Sequence, residues 1–348
     1  MNKKIKIGLW GVGRAGWHGH LNEIDKFSDF FQVVAACDLI DERAKKVSER
    51  YSNAQAYTDS QDFLADENID LVSIATYSSD HVKHAQMALE AGKYVFLEKP
   101  IGVNYQEALQ LKELDKKYPK KLFIRHNRRF EAAFNHLREI MASGLLGEIY
   151  EIKLCRHRFQ FRNDWQTLKH RNGGQLNNWG PHLIDHAIIL MDSPIKEIWS
   201  DLKRTVTLGD AEDHIKVVFR GENNRIIDLE ISDCVRIASP VYTVYGSRGS
   251  LVSYDEKEFE ISYLDESQEL PNEPARENSP AWNSGYGNEI KRNYITKTIP
   301  VAPANNASMT DIYGRVYKSI VHGEEYPITI AQALEVVRIS DIIRNQNI

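Results

Sequence analysis

The sequence predicts an α/β chain in two parts: a doubly wound parallel sheet over residues 1–125, then an α/β part over 126–348 built on an antiparallel sheet. Three observations carry this reading. Short apolar runs alternate with helix-like stretches through the first part. A glycine-rich turn joins the first run to the first helix. Beyond it the pattern changes to residue-by-residue alternation with few helices between.

The elements follow in order. Residues 5–10, IKIGLW, read as a short buried strand, and GVGRAGWHGHLNEI continues from it into a helix. FQVVAACDLI, residues 31–40, is a second strand ending in an acid. DERAKKVSERY is a helix whose leading acid suits the positive end of the helix dipole. LVSIAT at 71–76 is a further apolar run, and residues 78–93 form a capped helix with Gly92 near its end. YVFLEKP is a strand that stops at Pro100, NYQEALQLKELDKKY a helix, and LFIRHN strand-like. After one more helix, FEAAFNHLREIMASG, the segments EIYEIKLCRHRF, DHIKVVFR, RIIDLEISDCV and VYTVYGS alternate as strands do. Residues 265–308, rich in Asn, Pro, Glu and Ser, read as a long excursion from that sheet. TIAQALEVVRISDIIRNQ is a closing helix with Thr329 as its cap.

The chain has 348 residues, 42% apolar and 27% charged, which is ordinary for a soluble globular protein with real cores. A net charge of −5 spread along the chain gives no reason to expect nucleic-acid or membrane binding. Three widely spaced cysteines (Cys37, Cys155, Cys234) fit neither a disulfide framework nor a zinc site, so no metal is expected. The opening MNKKIKIGLWGVG is too brief in its apolar run for a signal peptide or membrane span, and a cytoplasmic location is the expectation.

Gly11-Val12-Gly13-Arg14-Ala15-Gly16 fits G-x-G-x-x-G in the context that gives the pattern meaning, after a strand and opening a helix. Glycines there permit a tight turn and close backbone approach to a pyrophosphate, which the helix N-terminus receives. Asp38 follows at the end of the second strand, where a carboxylate accepts hydrogen bonds from ribose hydroxyls and repels a 2′-phosphate. NAD is therefore expected rather than NADP, with Arg43 close enough in sequence to complicate that preference. Glu98-Lys99-Pro100 ends a strand, where ligands of open parallel sheets bind. An ammonium there can polarise a carbonyl or ease deprotonation of a hydroxyl, and the proline restricts the lysine backbone to an extended shape.

GVGRAG, DHVKHAQMALEAGKYVFLEKP, RHNRRF and GGQLNNWGPHLID, taken in this order, resemble the Gfo/Idh/MocA oxidoreductase family, which includes glucose–fructose oxidoreductase, inositol dehydrogenases and many sugar dehydrogenases. The resemblance runs the whole chain and implies a Rossmann domain followed by a domain with a large open, mostly antiparallel sheet. It implies a homodimer or homotetramer formed through that sheet. It implies Lys99 beside the nicotinamide and the substrate hydroxyl, and cofactor contacts from Thr76, Tyr77, His81, Glu98 and Asn127, with Arg128 near the substrate. Tyr77 stands where the family commonly has proline.

On the same match His182 is the catalytic histidine, in the first turn of a helix, with Gly173 and Gly174 turning the chain tightly before it. The family's inositol dehydrogenases carry an aspartate four residues earlier; here that residue is Asn178. A carboxylate favours imidazolium and an amide does not, so His182 is expected to be less basic than in those relatives, with Lys99 taking more of the proton transfer. Trp165, with Asp164 and Lys169, is a weaker substrate-site candidate, and Arg156, His157 and Arg158 weaker still. For Asp185 and His186 a helix-packing or capping role weighs as much as a functional one, and for Arg128 and Arg129 plain surface charge does. The function implied is hydride transfer between a nicotinamide cofactor and a secondary alcohol or ketone of a sugar, sugar derivative or cyclitol. Alternatives on the same scaffold are a glycoside-cleaving enzyme that oxidises transiently with NAD and a non-catalytic nucleotide-binding homologue.

Overall fold

A computed structural model of the chain describes residues 4–270, 292–301 and 311–347, and between them 272, 274, 277–279 and 282–283. Near-continuous apolar runs bury both of their faces only in a parallel sheet covered by helices on each side. The first part of the chain does this. Strand β1 (Ile5–Trp10) leads into a π-helical stretch, Ala15–Leu21, that continues as α1 (Asn22–Asp25). Then come β2 (Phe31–Cys37), α2 (Asp41–Arg50), β3 (Gln55–Tyr57), α3 (Ser60–Ala65), β4 (Leu71–Ile74), α4 (His81–Glu90), β5 (Tyr94–Leu97), α5 (Tyr105–Lys117) and β6 (Leu122–Ile124). The strands pair in parallel in the order β3-β2-β1-β4-β5-β6. That is the strand order of the Rossmann fold, which places ligands outside the carboxyl ends of the strands where the order reverses between β1 and β4.

Helix α6 (Ala132–Ala142) leads into the second sheet. Its elements are β7 (Ile149–His157), α7 (Gln175–Asn178), α8 (Gly180–Met191), β8 (Ile195–Lys203), β9 (His214–Gly221), β10 (Ile226–Ser232), β11 (Tyr242–Gly246), β12 (Gly249–Ser253), β13 (Glu258–Leu264) and β14 (Tyr294–Pro300). The order is β14-β13-β12-β11-β7-β10-β9-β8, antiparallel throughout except where β7 and β10 run parallel. Ile215, Val217 and Phe219 of β9 point into a core shared with Leu183, Ile184 and Ala187 of α8, while the intervening Lys216 and Arg220 do not. One face is therefore covered by helices and the other is not, which the alternating pattern requires.

The closing helices α9 (Ile312–His322) and α10 (Ile330–Asn345) tie the two sheets together. Tyr313 and Val316 of α9 lie in the first core, whereas Val336, Ile339 and Ile343 of α10 lie in the second. The chain that crosses to the second sheet near residue 126 thus returns to the first. Thr329 caps α10 as expected, in a reciprocal capping box with Gln332. The sequence reading passes over β3, α3, β8, β12, β13, β14 and α9. β3 is three residues long, and β8, partly exposed, and β14, almost wholly exposed, are edge strands whose apolar signal is weak. The excursion expected over 265–308 contains β14 and otherwise lies largely outside the described residues.

Candidate active site

The glycine loop leaves β1 at the switch point. Gly11 has φ +95°, and a Cβ there would lie 2.5 Å from the Ala75 carbonyl oxygen, so no other residue fits. Val12 N donates to Asp38 Oδ2 at 2.7 Å and Ile40 N to Asp38 Oδ1 at 2.9 Å. The buried Asp38 carboxylate therefore ties the loop to the end of β2, and each oxygen keeps a lone pair for another donor. Ala15 and Arg14 are exposed at the loop surface. Arg14 reaches across to the second part of the chain, donating to Asp164 Oδ2 at 3.1 Å and Gln166 Oε1 at 2.9 Å.

The loop after β4 forms the facing wall. Thr76 Oγ1 pairs with His84 Nδ1 at 2.9 Å, and His81 Nδ1 with the Pro100 carbonyl oxygen at 2.7 Å. Tyr77 meets Trp165 edge-on, ring centroids 5.2 Å apart, with the Arg171 guanidinium 5.1 Å from the Tyr77 ring. Trp165 thus packs against the cofactor-side wall together with Asp164 and Gln166. Lys169 is exposed, its backbone N–H donating to Asp210 Oδ1 at 2.8 Å.

Lys99 and the 172–186 segment converge. Gly174 has φ +96°, and a Cβ on it would overlap the Glu212 carboxylate at 2.1 Å, so the turn into α7 requires glycine. α7 ends at Asn178, whose backbone carbonyl accepts from Lys99 Nζ at 2.8 Å. His182, buried at 7% exposure, follows one helical turn later. Its Nδ1 has no hydrogen-bond partner among the described residues, and neither has His81 Nε2.

Past β6, Asn127 opens a short 3₁₀ turn, Asn127–Phe130. Arg128 lies over the Trp179 indole at 4.1 Å and pairs with Glu131. Arg156 and Arg158 also border that indole, at 5.3 and 6.0 Å, paired with Glu256 and Asp233. Trp179 in turn sits edge-on to His182 at 6.0 Å. The weaker candidates Arg156 and Arg158 therefore border Trp179, whereas His157 faces Glu230. Asp185 and His186 serve packing: Asp185 ion-pairs with Arg129, and His186 stacks on Phe134 and pairs with the Arg128 carbonyl oxygen at 3.0 Å. Glu98 turns inward, pairing with Arg125 at 2.7 Å and His20 at 3.2 Å, with Oε2 accepting the Lys99 backbone N–H at 3.1 Å.

Charge follows from this packing. Burial, then the Lys99 and Arg128 cations, hold His182 well below the ordinary imidazole range, so it is neutral at physiological pH. Burial pushes Lys99 down to about 8, against the pull of Glu98. Burial alone would raise Glu98, but Arg125 and His20 hold it below the ordinary carboxylate range. Burial likewise lowers His126, which has an unpartnered Nδ1, to about 4. The pocket thus presents a neutral imidazole beside an ammonium close to its own titration point.

Residues 5–126 match the family described as "Oxidoreductase family, NAD-binding Rossmann fold", and residues 134–252 match "GFO/IDH/MocA C-terminal domain". The chain belongs to the Gfo/Idh/MocA oxidoreductase family. Among relatives of this family, "Uncharacterized oxidoreductase YdgJ" of Escherichia coli K12 is 28% identical over 98% of this chain and 96% of its own length. "scyllo-inositol 2-dehydrogenase (NADP(+)) IolW" of Bacillus subtilis 168 is 23% identical over 96% and 91%. "Inositol 2-dehydrogenase" of Salmonella paratyphi B is 32% identical, but over 41% of this chain and 43% of its own. A solved NAD-binding protein from Listeria innocua has the same fold, with TM-score 0.82 and 24% identity over 99% of this chain and 95% of that one. Gfo/Idh/MocA membership makes the first sheet an NAD(P)-binding domain. The loop fits that role: a Cβ at Gly13 would meet nothing within 4 Å, leaving the backbone open to a ligand. No helix among the described residues is long and apolar enough to cross a membrane.

Trp179, His126, Arg125, His20 and Gln166 are parts of this site that the sequence reading does not single out. Trp179 stands inside the quoted motif, between Asn178 and Gly180, and its position alone was the available signal.

Proposed function

We propose that the protein transfers hydride between a nicotinamide dinucleotide and a secondary alcohol or ketone of a sugar, sugar derivative or cyclitol. The observation that carries this is the meeting of Lys99, just beyond the carboxyl end of β5, with the segment that carries Asn178 and His182. The nicotinamide supplies the hydride acceptor or donor when bound. Gly11 to Ala15 and Asp38 would hold the adenosine and pyrophosphate, and Thr76, Tyr77, His81, Glu98 and Asn127 the region toward the nicotinamide. Asp38 at the end of β2 favours NAD, because a carboxylate repels a 2′-phosphate. Lys99 and the neutral His182 converge on the substrate hydroxyl. Neutral imidazole can accept its proton, and the neighbouring ammonium stabilises negative charge on the oxygen as the proton leaves. Asn178 orients this pair without adding charge. Arg128 and Trp165 border the substrate, which we read as a polyol or sugar; the names of the inositol relatives support that reading. The open face of the second sheet is where we place self-association into a dimer or tetramer.

Absorbance of the reduced nicotinamide, followed with NAD and NADP against a panel of sugars and inositols, tests this. Turnover of one substrate, lowered at least about a hundredfold by Lys99→Ala and by His182→Ala, is expected. Glycoside cleavage without net reduced cofactor would replace the reading with the transient-oxidation alternative. Failure to bind either dinucleotide would remove both.

A further inference from the structure

A buried polar cluster surrounds His20 of the glycine-loop helix, and the proposed chemistry gives His20 no role. His20, fully buried, presents Nδ1 to the Tyr313 hydroxyl at 2.6 Å and Nε2 to Glu98 Oε1 at 3.2 Å. Tyr313 also meets Ser73 Oγ at 3.0 Å. Arg125 bridges Glu98 to Glu23, which lies on α1 just beyond the π-helical stretch. The one Glu98 oxygen that faces neither His20 nor Arg125 accepts the Lys99 backbone N–H at 3.1 Å. Burying this many ionisable groups is costly unless each is held by partners, and the cluster supplies those partners from β4, the residues just beyond β5 and β6, α9 and the glycine-loop helix with α1.

We infer that His20 is a positioning residue for Lys99: it holds the Glu98 carboxylate in the orientation that fixes the Lys99 backbone and keeps a negative charge beside the Lys99 side chain. Two geometric facts support this. Hydrogen bonds at both ring nitrogens lock the imidazole, so it cannot turn away from Glu98 without leaving the Tyr313 hydroxyl unpaired. His20 also belongs to the helix that opens at the glycine loop, so the seat of the cofactor and the direction of Lys99 share one rigid support. The charged and titratable groups acting on Lys99 are Glu98, Arg125 and Arg128, with His126 and His182 neighbouring it. Of these Glu98 alone favours the ammonium, so releasing it lowers the lysine's affinity for its proton.

The inference builds on the proposed role of Lys99, and its test reads Lys99 directly. The pH dependence of Lys99 acylation by acetic anhydride, resolved by peptide mass spectrometry on the intact folded chain, gives the midpoint for that one amine whether or not it is catalytic. In His20→Leu the midpoint is expected to fall by on the order of one pH unit. In His20→Gln, which retains a donor toward Glu98, it stays within a few tenths of the parent. Tyr313→Phe frees one ring nitrogen and is expected to shift the midpoint in the same direction by less; it is the deciding variant if His20→Leu does not fold. An unmoved midpoint in folded His20→Leu, or in Tyr313→Phe where that variant decides, overturns the inference, even if thermal stability drops. Retained turnover in Lys99→Ala would remove the catalytic role of Lys99 and leave this result standing.

Discussion

Residue 178 is an uncharged amide, and the consequence falls on His182 and Lys99. His182 is surrounded by the Lys99, Arg128, His126 and His186 groups, all of which disfavour a further positive charge. An aspartate in place of Asn178 would offset them. In Asn178→Asp both His182 and Lys99 are expected to bind protons more tightly. For the oxidative direction the parent's rate should fall as pH rises through the Lys99 value of about 8, because the ammonium that stabilises the developing oxyanion is lost. In the variant that limb should move to higher pH, which a kcat/KM profile would read; a limb unmoved or moved down would contradict the account. The motifs made Lys99 and His182 legible in the sequence. His20 and Trp179 were not, because their partners lie far along the chain: His20 meets Tyr313 across 293 positions. No local pattern encodes such a meeting.

At the scale of elements, α8 delivers His182, and two features set its position. The turn before α7 requires Gly174, and the Arg129–Asp185 pair fastens the 3₁₀ turn Asn127–Phe130 to the middle of α8. Gly174→Ala adds a Cβ in left-handed backbone and against the Glu212 carboxylate. A loss of about 1–3 kcal/mol is expected in chemical denaturation. Because the same turn carries Asn178, turnover should fall in the variant even where it remains folded. The glycines and the apolar run of α8 could be read as turn and helix from sequence. That Glu212 fills the space beside Gly174 could not, since it comes from the approach to β9.

For the whole molecule, the buried Glu23–Arg125–Glu98 triad joins the carboxyl ends of β5 and β6 to α1. Removing its cation leaves two carboxylates buried together, so Arg125→Met should cost about 3–5 kcal/mol, seen as a lower midpoint of thermal or denaturant unfolding. Glu98 is held below its ordinary value of 4.5, so its contribution is present above that pH and lost as pH falls toward the lowered value. Acid sensitivity in the parent that disappears in Arg125→Met would follow. The uncovered face of the second sheet carries Tyr150 at 53% and Trp199 at 58% exposure. If this face mates with another copy, Trp199→Glu should reduce the assembled mass in light scattering, with the fold kept by circular dichroism.

The sequence by itself determined the alternation of strands and helices in the first sheet apart from β3 and α3, the glycine loop with its acid, and the two motifs that bring a lysine and a histidine. Each is local: a period of apolar residues, a spacing of glycines, a proline after a lysine. Only the tertiary structure decided which of those residues meet. The Lys99 ammonium reaching the Asn178 carbonyl, Arg14 reaching Asp164 and Gln166, and α9 returning to the first core all join segments far apart in the chain. Burial then set their charge states, because desolvation and neighbouring cations exist only once the chain has closed around them.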